Sequence, residues 1–71
     1  MNDPQEHFAH CIQVFGGVTA ASRRLGIDER ALRRFVSGER PVTPTLLQDT
    51  AKALDALIAE ASAARRAIES A

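Results

Sequence analysis

The sequence predicts an all-α domain, and three observations lead to this prediction. Thirteen of the 71 residues are alanine, and alanine together with leucine, arginine and glutamate favours helix. Apolar residues recur at helical spacing, and no segment alternates between apolar and polar residues as a half-buried strand does. Glycine and proline fall between the periodic segments. A chain of this length forms one small domain at most.

The first predicted helix has Asn2 or Asp3 as its N-cap and Pro4 at its first helical position. Its apolar residues follow at the i, i+3, i+4 and i+7 spacing of a single buried stripe. They are Phe8, Cys11, Ile12 and Phe15. Gly16 and Gly17 then end the helix.

Two short helices are predicted next, separated by a tight turn. The first covers roughly Val18–Leu25, and Gly26 ends it because glycine readily adopts a left-handed backbone. Asp28 is the predicted N-cap of the second, which runs to about Ser37 before Gly38 closes it. Its inward residues are Leu32, Phe35 and Val36.

The fourth predicted helix is much longer than the others. Thr43 is its N-cap, Pro44 occupies its first position, and neither glycine nor proline follows before Glu69. Such a helix is about 39 Å long at about 1.5 Å per residue. Its first half is expected to pack on the domain through Leu46, Leu47, Leu54 and Leu57. We therefore divide the chain into a domain at 1–58 and a helical extension at 59–71.

Positive charge is concentrated in the middle of a chain with no net charge. Positions 18–43 contain six basic and three acidic residues, a net +3, and the remainder contains three basic and six acidic residues, a net −3. On a helical wheel with Leu32 inward, Arg30 and Arg34 point away from the core, and Arg33 lies on the flank. Two arginines at i and i+4 repel each other. A nucleic acid, through its phosphates or guanine edges, would supply a reason for this arrangement.

The segments "TAASRRLGIDERALRRFVSGERPV" and "LLQDTAKAL" resemble the Cro/C1-type, or lambda-repressor-like, helix-turn-helix family. The resemblance covers roughly residues 8–58. It rests on Leu25 before the turn glycine, Ile27 after it, and the trailing "GERP". Ser22 stands where the family usually has alanine, and Ala21 where it has a larger apolar residue. The resemblance implies a four-helix DNA-binding domain, to which this chain adds an extended C-terminal helix.

By the same resemblance, the third helix would enter the major groove of double-stranded DNA. The residues expected to contact bases are Glu29, Arg30, Arg33 and Arg34, of which Arg33 could instead reach phosphate and Glu29 could orient an arginine. The residues expected to contact phosphate are Gly17, Val18, Thr19, Arg24, Ser37 and Arg40. The implied function is a sequence-specific transcription regulator, a homodimeric repressor that binds an inverted repeat.

The end of the long helix is expected to form a dimer seam, because its apolar residues recur close to every seven positions. The seam residues are Leu57, Ile58, Ala61, Ala64, Arg65 and Ile68. A fraying tail is the alternative for this segment, since a long unpacked helix is marginally stable. For the whole chain, the alternative is a protein-interaction module, antitoxin-like or an adaptor, whose last helix binds a partner protein.

Other classes of function find little support in the sequence. His7, His10 and Cys11 lack a further ligand, so we expect no metal and no cofactor. No catalytic pair, triad or phosphate-binding loop is present, so we expect no enzyme. The start of the chain does not resemble a secretory signal, and the apolar runs are too short for a membrane span. A lone cysteine fits a cytoplasmic protein, associated with the nucleoid when bound to DNA.

Overall fold

The computed structural model describes residues 3–70 and contains four α-helices. They are α1 (Pro4–Phe15), α2 (Val18–Leu25), α3 (Glu29–Ser37) and α4 (Pro44–Glu69). This part of the chain contains no strand, so the all-α prediction is confirmed. Asp3 caps α1 by accepting a 2.9 Å hydrogen bond from the Gln5 backbone N–H. Asn2, the alternative cap, lies outside the described residues.

The core lies where α1 is surrounded by the other three helices, each of which it contacts. Its fully or almost fully buried apolar residues are Phe8, Cys11, Ile12, Phe15, Ala21, Leu32 and Leu46. Phe8 meets Phe35 edge to face, with 5.9 Å between ring centroids. Thr50 is buried as well, and its hydroxyl donates a 2.7 Å hydrogen bond to the Leu46 carbonyl. The core therefore contains no side chain whose polar group lacks a partner.

The turn between α2 and α3 is fixed by two local interactions. Gly26 has a φ of 66° and a ψ of 30°, the left-handed conformation that disfavours residues with a Cβ. The Ser22 hydroxyl donates a 2.6 Å hydrogen bond to the Ile27 carbonyl across the turn. Asp28 occupies the N-cap position of α3, but its side chain makes no capping hydrogen bond. Asp28 is thus the N-cap residue, as predicted, but its carboxylate does not contribute the usual capping hydrogen bond.

A side chain from α1 fastens the end of α3. The Gln5 amide donates a 2.9 Å hydrogen bond to the Val36 carbonyl, a link across 31 residues of sequence. Gly38 follows with a φ of 86°, and a Cβ there would lie 2.9 Å from Oε1 of Gln5. Glycine at this position therefore allows both the reversal of the chain and the close approach of Gln5.

The long helix α4 is packed along only part of its length. Thr43 accepts a 3.1 Å hydrogen bond from the Leu46 N–H at its start, and the helix continues for 26 residues. It contacts α1 and α2. The last residue packed against the core is Leu57, and Ile58 and Ile68 are 62% and 77% exposed. The end of α4 projects past the other helices. The molecule is therefore elongated, with extents of 47 × 24 × 16 Å along its principal axes.

The predicted boundary at residue 58 falls inside the continuous helix α4, one residue after the packed part ends. The two parts differ in whether they pack against the core, and no break in secondary structure separates them. Among residues 3–70, no helix is long and apolar enough to cross a membrane.

Candidate nucleic-acid interface

Helix α3 presents arginines on the side opposite its buried residues. Leu32 is fully buried, and Phe35 is half-buried against the core. Arg30, Arg33 and Arg34 are all exposed. Because Leu32 and Phe35 are held by the core, the rotation of α3 about its axis is fixed. The arginine-bearing face, which we call the α3 outer face, is therefore presented to solvent on a supported helix.

Glu29 connects the start of α3 to α2. One of its carboxylate oxygens accepts a 3.1 Å hydrogen bond from the Thr19 hydroxyl. The same oxygen lies 3.4 Å from a guanidinium nitrogen of Arg33. An exposed ion pair of this kind adds little stability, but it restricts where the Arg33 side chain can go. Glu29 was expected either to contact a base or to orient an arginine, and this arrangement matches the second role.

The end of α3 holds a second basic group. The Arg40 backbone N–H donates a 3.1 Å hydrogen bond to the Arg34 carbonyl, and the Arg40 guanidinium carbon lies 5.1 Å from the centroid of the Phe35 ring. A cation over an aromatic face is attracted to it. Arg34 lies 3.6 Å from Glu39 and keeps 49% of its side chain exposed. Arg34 and Arg40 are thus next to each other, and both reach solvent.

Ser37 was predicted to contact phosphate, and its hydroxyl already has two local partners. It donates a 3.1 Å hydrogen bond to the Arg34 carbonyl and accepts one of 3.4 Å from the Glu39 N–H. These bonds close the last turn of α3. An exposed hydroxyl can exchange such partners for another acceptor, but its role here is local.

The start of α2 differs from the expectation at one residue. The Gly17 N–H donates a 2.9 Å hydrogen bond to the Ile12 carbonyl and is therefore not available to a phosphate. No side chain caps α2, which leaves the backbone donors of Val18 and Thr19 at an uncapped helix start. The Gly17 N–H, predicted to contact phosphate, is therefore occupied within the chain, whereas Val18 and Thr19 lie at the helix start as expected.

Arg24 is directed away from the other predicted contacts. Its guanidinium makes two hydrogen bonds to the Glu60 carboxylate on α4, 2.6 and 2.8 Å long, and only 27% of its side chain is exposed. These hydrogen bonds raise the pKa of Arg24 and lower that of Glu60. Arg24 lies on a different face of α2 from Thr19, which contacts α3. Arg24, predicted to contact phosphate, instead links α2 to α4 in this structure.

The residues predicted to form a dimer seam have different surroundings. Leu57 is half-buried and packs against the core of its own chain. Ile58, Ala61, Ala64, Arg65 and Ile68 are exposed along α4. Arg65 lies 3.4 Å from Glu69 in the same helix. Glu60, one turn before Ala64, is held by Arg24 of the same chain.

The cysteine and histidines of α1 do not form a site. Cys11 is buried, and burial raises the pKa of its thiol. His7 and His10 are exposed. Across the described residues, no group of three or more His, Cys, Asp or Glu side chains is placed to hold a metal ion.

Comparison of the chain with protein-family models, with curated proteins and with solved structures gave no match.

Proposed function

We propose that this chain is a sequence-specific, double-stranded-DNA-binding transcription regulator of the lambda-repressor-like type. In this proposal α2 and α3 form the helix-turn-helix, and α3 lies in the major groove. The regulator is a homodimer on an inverted repeat, and it represses by covering a promoter. The observation that carries the proposal is the α3 outer face, where three exposed arginines stand on a helix anchored by Leu32.

The arrangement of charge on α3 supports DNA as the ligand. Arg30 and Arg34 are one helical turn apart, so their like charges are unfavourable in the isolated protein. Phosphates would remove this repulsion, and guanine O6 and N7 match the two parallel donors of a guanidinium. In the part of the chain that the structure describes, Arg30 has no ion-pairing carboxylate. Binding at Arg30 would therefore not require an internal ion pair to break.

The contacts divide into two kinds. Base contacts are assigned to Arg30, Arg33 and Arg34, with Glu29 orienting Arg33 or accepting from cytosine N4. Phosphate contacts are assigned to Arg40 beside the end of α3, and to Val18 and Thr19 at the uncapped start of α2. The first group would choose the sequence, and the second would fix the position of the protein on the duplex.

The test is a selection of bound sequences from a random pool of duplex DNA, followed by binding measurements at several salt concentrations. We expect an enriched palindrome and an affinity that falls steeply with salt, because bound arginines release counterions from DNA. Arg34→Ala should change the selected sequence, whereas the matched control Arg66→Ala, on α4, should not. A pool that stays random with the unaltered chain would overturn the proposal.

A protein-interaction module is the second candidate, and the exposed isoleucines of α4 favour it. Ile58 and Ile68 are 62% and 77% exposed on a helix that outruns its domain. Here the first three helices would be a scaffold, and α4 would bind another protein. Salt separates the two candidates, because an apolar helix interface should not weaken as salt rises. Both activities can also occur in one molecule.

A further inference from the structure

A single stripe of mainly apolar residues runs along α4 from the edge of the core to the projecting end. Its members are spaced alternately four and three residues apart, the pattern of a coiled-coil seam. They are Leu47, Ala51, Leu54, Ile58, Ala61, Arg65 and Ile68. Leu47 and Leu54 are half-buried, and the others are exposed. We call this set the α4 stripe.

A cavity opens at the N-terminal half of the α4 stripe. It has a volume of about 180 Å³ and lies between α1 and α4. Its lining consists of His7, Cys11, Leu47, Thr50, Ala51 and Leu54. A cavity of about 150 Å³ is large enough for benzene, so this one can hold the four-carbon side chain of isoleucine. The stripe therefore has a recess at one end and a protruding residue, Ile68, at the other.

We propose that the recess is filled by Ile68 of a second copy of this chain, with the two α4 helices antiparallel and centred on Ile58. The inference rests on the homodimer of the proposed function and specifies its geometry. It does not require DNA binding, because α3 does not contact α4 in the described structure and contributes no residue to the cavity.

The α4 stripe is complementary to itself only in the antiparallel direction. A two-fold interface brings each residue opposite one at an equal distance beyond the centre. Ala51 and Arg65 lie seven residues before and after Ile58, so a small side chain faces a long one. Leu54 lies opposite Ser62, which is also small, and Ile68 lies opposite position 48, next to Leu47 at the recess. A small residue thus meets a larger one on each side of the centre, where Ile58 meets its own copy, and Ile68 reaches the recess at each end.

The parallel alternative places identical residues together. Arg65 would face its own copy, and like charges directly opposite each other are unfavourable. Ala51 and Ala61 would also face themselves and leave gaps that cost packing energy. In the antiparallel arrangement, Arg65 lies opposite Ala51 and close to the exposed Asp55, one turn further along the second copy. Both charge and volume therefore favour the antiparallel pair.

The surface area of the chain is consistent with a second copy as the occupant. A folded monomer of this mass exposes about 4,300 Å², whereas this chain exposes 5004 Å². The excess of about 700 Å² is close to the ~800 Å² that each partner buries in an interface of standard size. The projecting half of α4 accounts for this excess, since it is exposed on all sides.

Disulfide cross-linking between two variants tests the direction. Ala51→Cys and Arg65→Cys are each made in a Cys11→Ala background, and both sites are exposed, so the fold should tolerate them. Mixed and oxidised, the two variants should form a 51–65 disulfide, because a disulfide needs Cα atoms within about 7 Å. Neither variant alone should cross-link. Cross-links of each variant to itself, or a dimer without the mixed cross-link, would overturn the proposal.

Sedimentation equilibrium of the full chain tests whether Ile68 fills the recess of the second copy. Ile68→Asp should raise the dimer dissociation constant at least about tenfold, because a charged group would replace a buried apolar one. The control is Ala67→Asp, which adds the same charge at the neighbouring residue. That residue lies about 160° from the stripe around the helix axis. Equal effects of both variants, or a monomeric unaltered chain, would overturn the proposal. A monomer that still selects a DNA sequence would overturn the dimer but not DNA binding, and an antiparallel dimer without DNA binding would overturn only the DNA-binding part.

Discussion

The outer face of α3 and the projecting end of α4 are both solvent-exposed helix surfaces, but they differ in support and in chemistry. The α3 outer face is charged, and its helix is anchored on the inner side by the buried Leu32. The projecting end, residues 61–69, contains four alanines and Ile68 beside three charged residues, and none of its apolar residues packs against the core. A helix that packs on a core holds its charges in a fixed place, whereas a helical segment without such packing needs a partner to be stable.

This difference separates the two surfaces in what they would bind. The exposed arginines are hydrated by water when no ligand is bound. The α3 outer face therefore does not need a ligand for α3 to be stable. Ile58 and Ile68, at 62% and 77% exposure, keep apolar area in water that a second copy would cover. Loss of the α3 outer face should therefore affect binding to DNA, and loss of the α4 stripe should affect association.

The largest expected effect is that of Leu32→Ala, which removes the anchor of α3. We expect the free energy of unfolding to fall by about 2–5 kcal/mol, as for other buried leucines. Urea denaturation followed by circular dichroism measures it. Ile68→Ala is the control, and below the dimer dissociation constant it should change the midpoint little because Ile68 is exposed. Equal losses in the two variants would contradict the contrast between the surfaces.

Arg34→Ala should weaken binding to the selected DNA by about 1–3 kcal/mol and relax the preference at one base pair. The free energy of unfolding should hardly change, since the side chain is 49% exposed. Fluorescence anisotropy with single-base variants of the site provides the measurement. Arg40→Ala is the comparison, and it should weaken all sequences alike. A uniform loss with Arg34→Ala would reassign this arginine to phosphate.

Gly26→Ala tests whether the turn before α3 supports its outer face. A Cβ meets no atom within 4 Å there, so the cost is the left-handed backbone alone. It should amount to about 1–2 kcal/mol of unfolding free energy. Thermal unfolding measures this loss, and dimer dissociation should stay unchanged because the α4 stripe does not involve the turn. A variant as stable as the parent chain would show that the backbone shifts to another conformation.

The smallest expected effect is that of Glu60→Gln, which breaks the link from Arg24 to α4. The link lowers the pKa of Glu60 in the folded chain. The link therefore contributes fully to stability at pH values above the pKa that Glu60 has in the unfolded chain. This contribution is lost as the pH falls through the lower pKa that Glu60 has in the folded chain. Parent and variant should differ slightly near neutral pH and converge in acid.

Chemical denaturation across this pH range measures the difference. Glu69→Gln is the control, since the Glu69 side chain is 62% exposed and pairs only within its own helix. If the parent chain and Glu60→Gln still differ in free energy of unfolding at the lowest pH, the ion pair is not the source of the difference.

Local chemistry explains why the helices could be predicted. Proline at the first position, threonine or aspartate before it, and glycine after the last turn all act within a few residues. Thr43 and Gly26 behave as predicted because their roles depend only on their neighbours in sequence. Asp28 is the exception. It has the cap position without the cap bond, since small changes in backbone angle decide whether a carboxylate reaches the N–H groups.

The long-range contacts could not be predicted in the same way. Arg24 and Glu60 are 36 residues apart, and their pairing depends on the angle at which α4 passes α2. The bond from Gln5 to Val36 likewise requires the packing of α1 on α3. The exposure of the arginines within α3 could be predicted, because they share one helix with the buried Leu32. The internal partners of Arg24 and Gly17 could not be predicted, since those partners lie in other elements.

The uninterrupted backbone of α4 makes the molecule sensitive to small insertions. Each residue of an α-helix adds about 1.5 Å of length and about 100° of rotation. One extra residue between Leu57 and Ile68 would turn Ile68 by about 100°, whereas seven extra residues would restore its direction to within about 20°. Seven residues would also move Ile68 about 10 Å along the helix axis, out of reach of the recess, so the length of this segment should be constrained as strictly as its sequence.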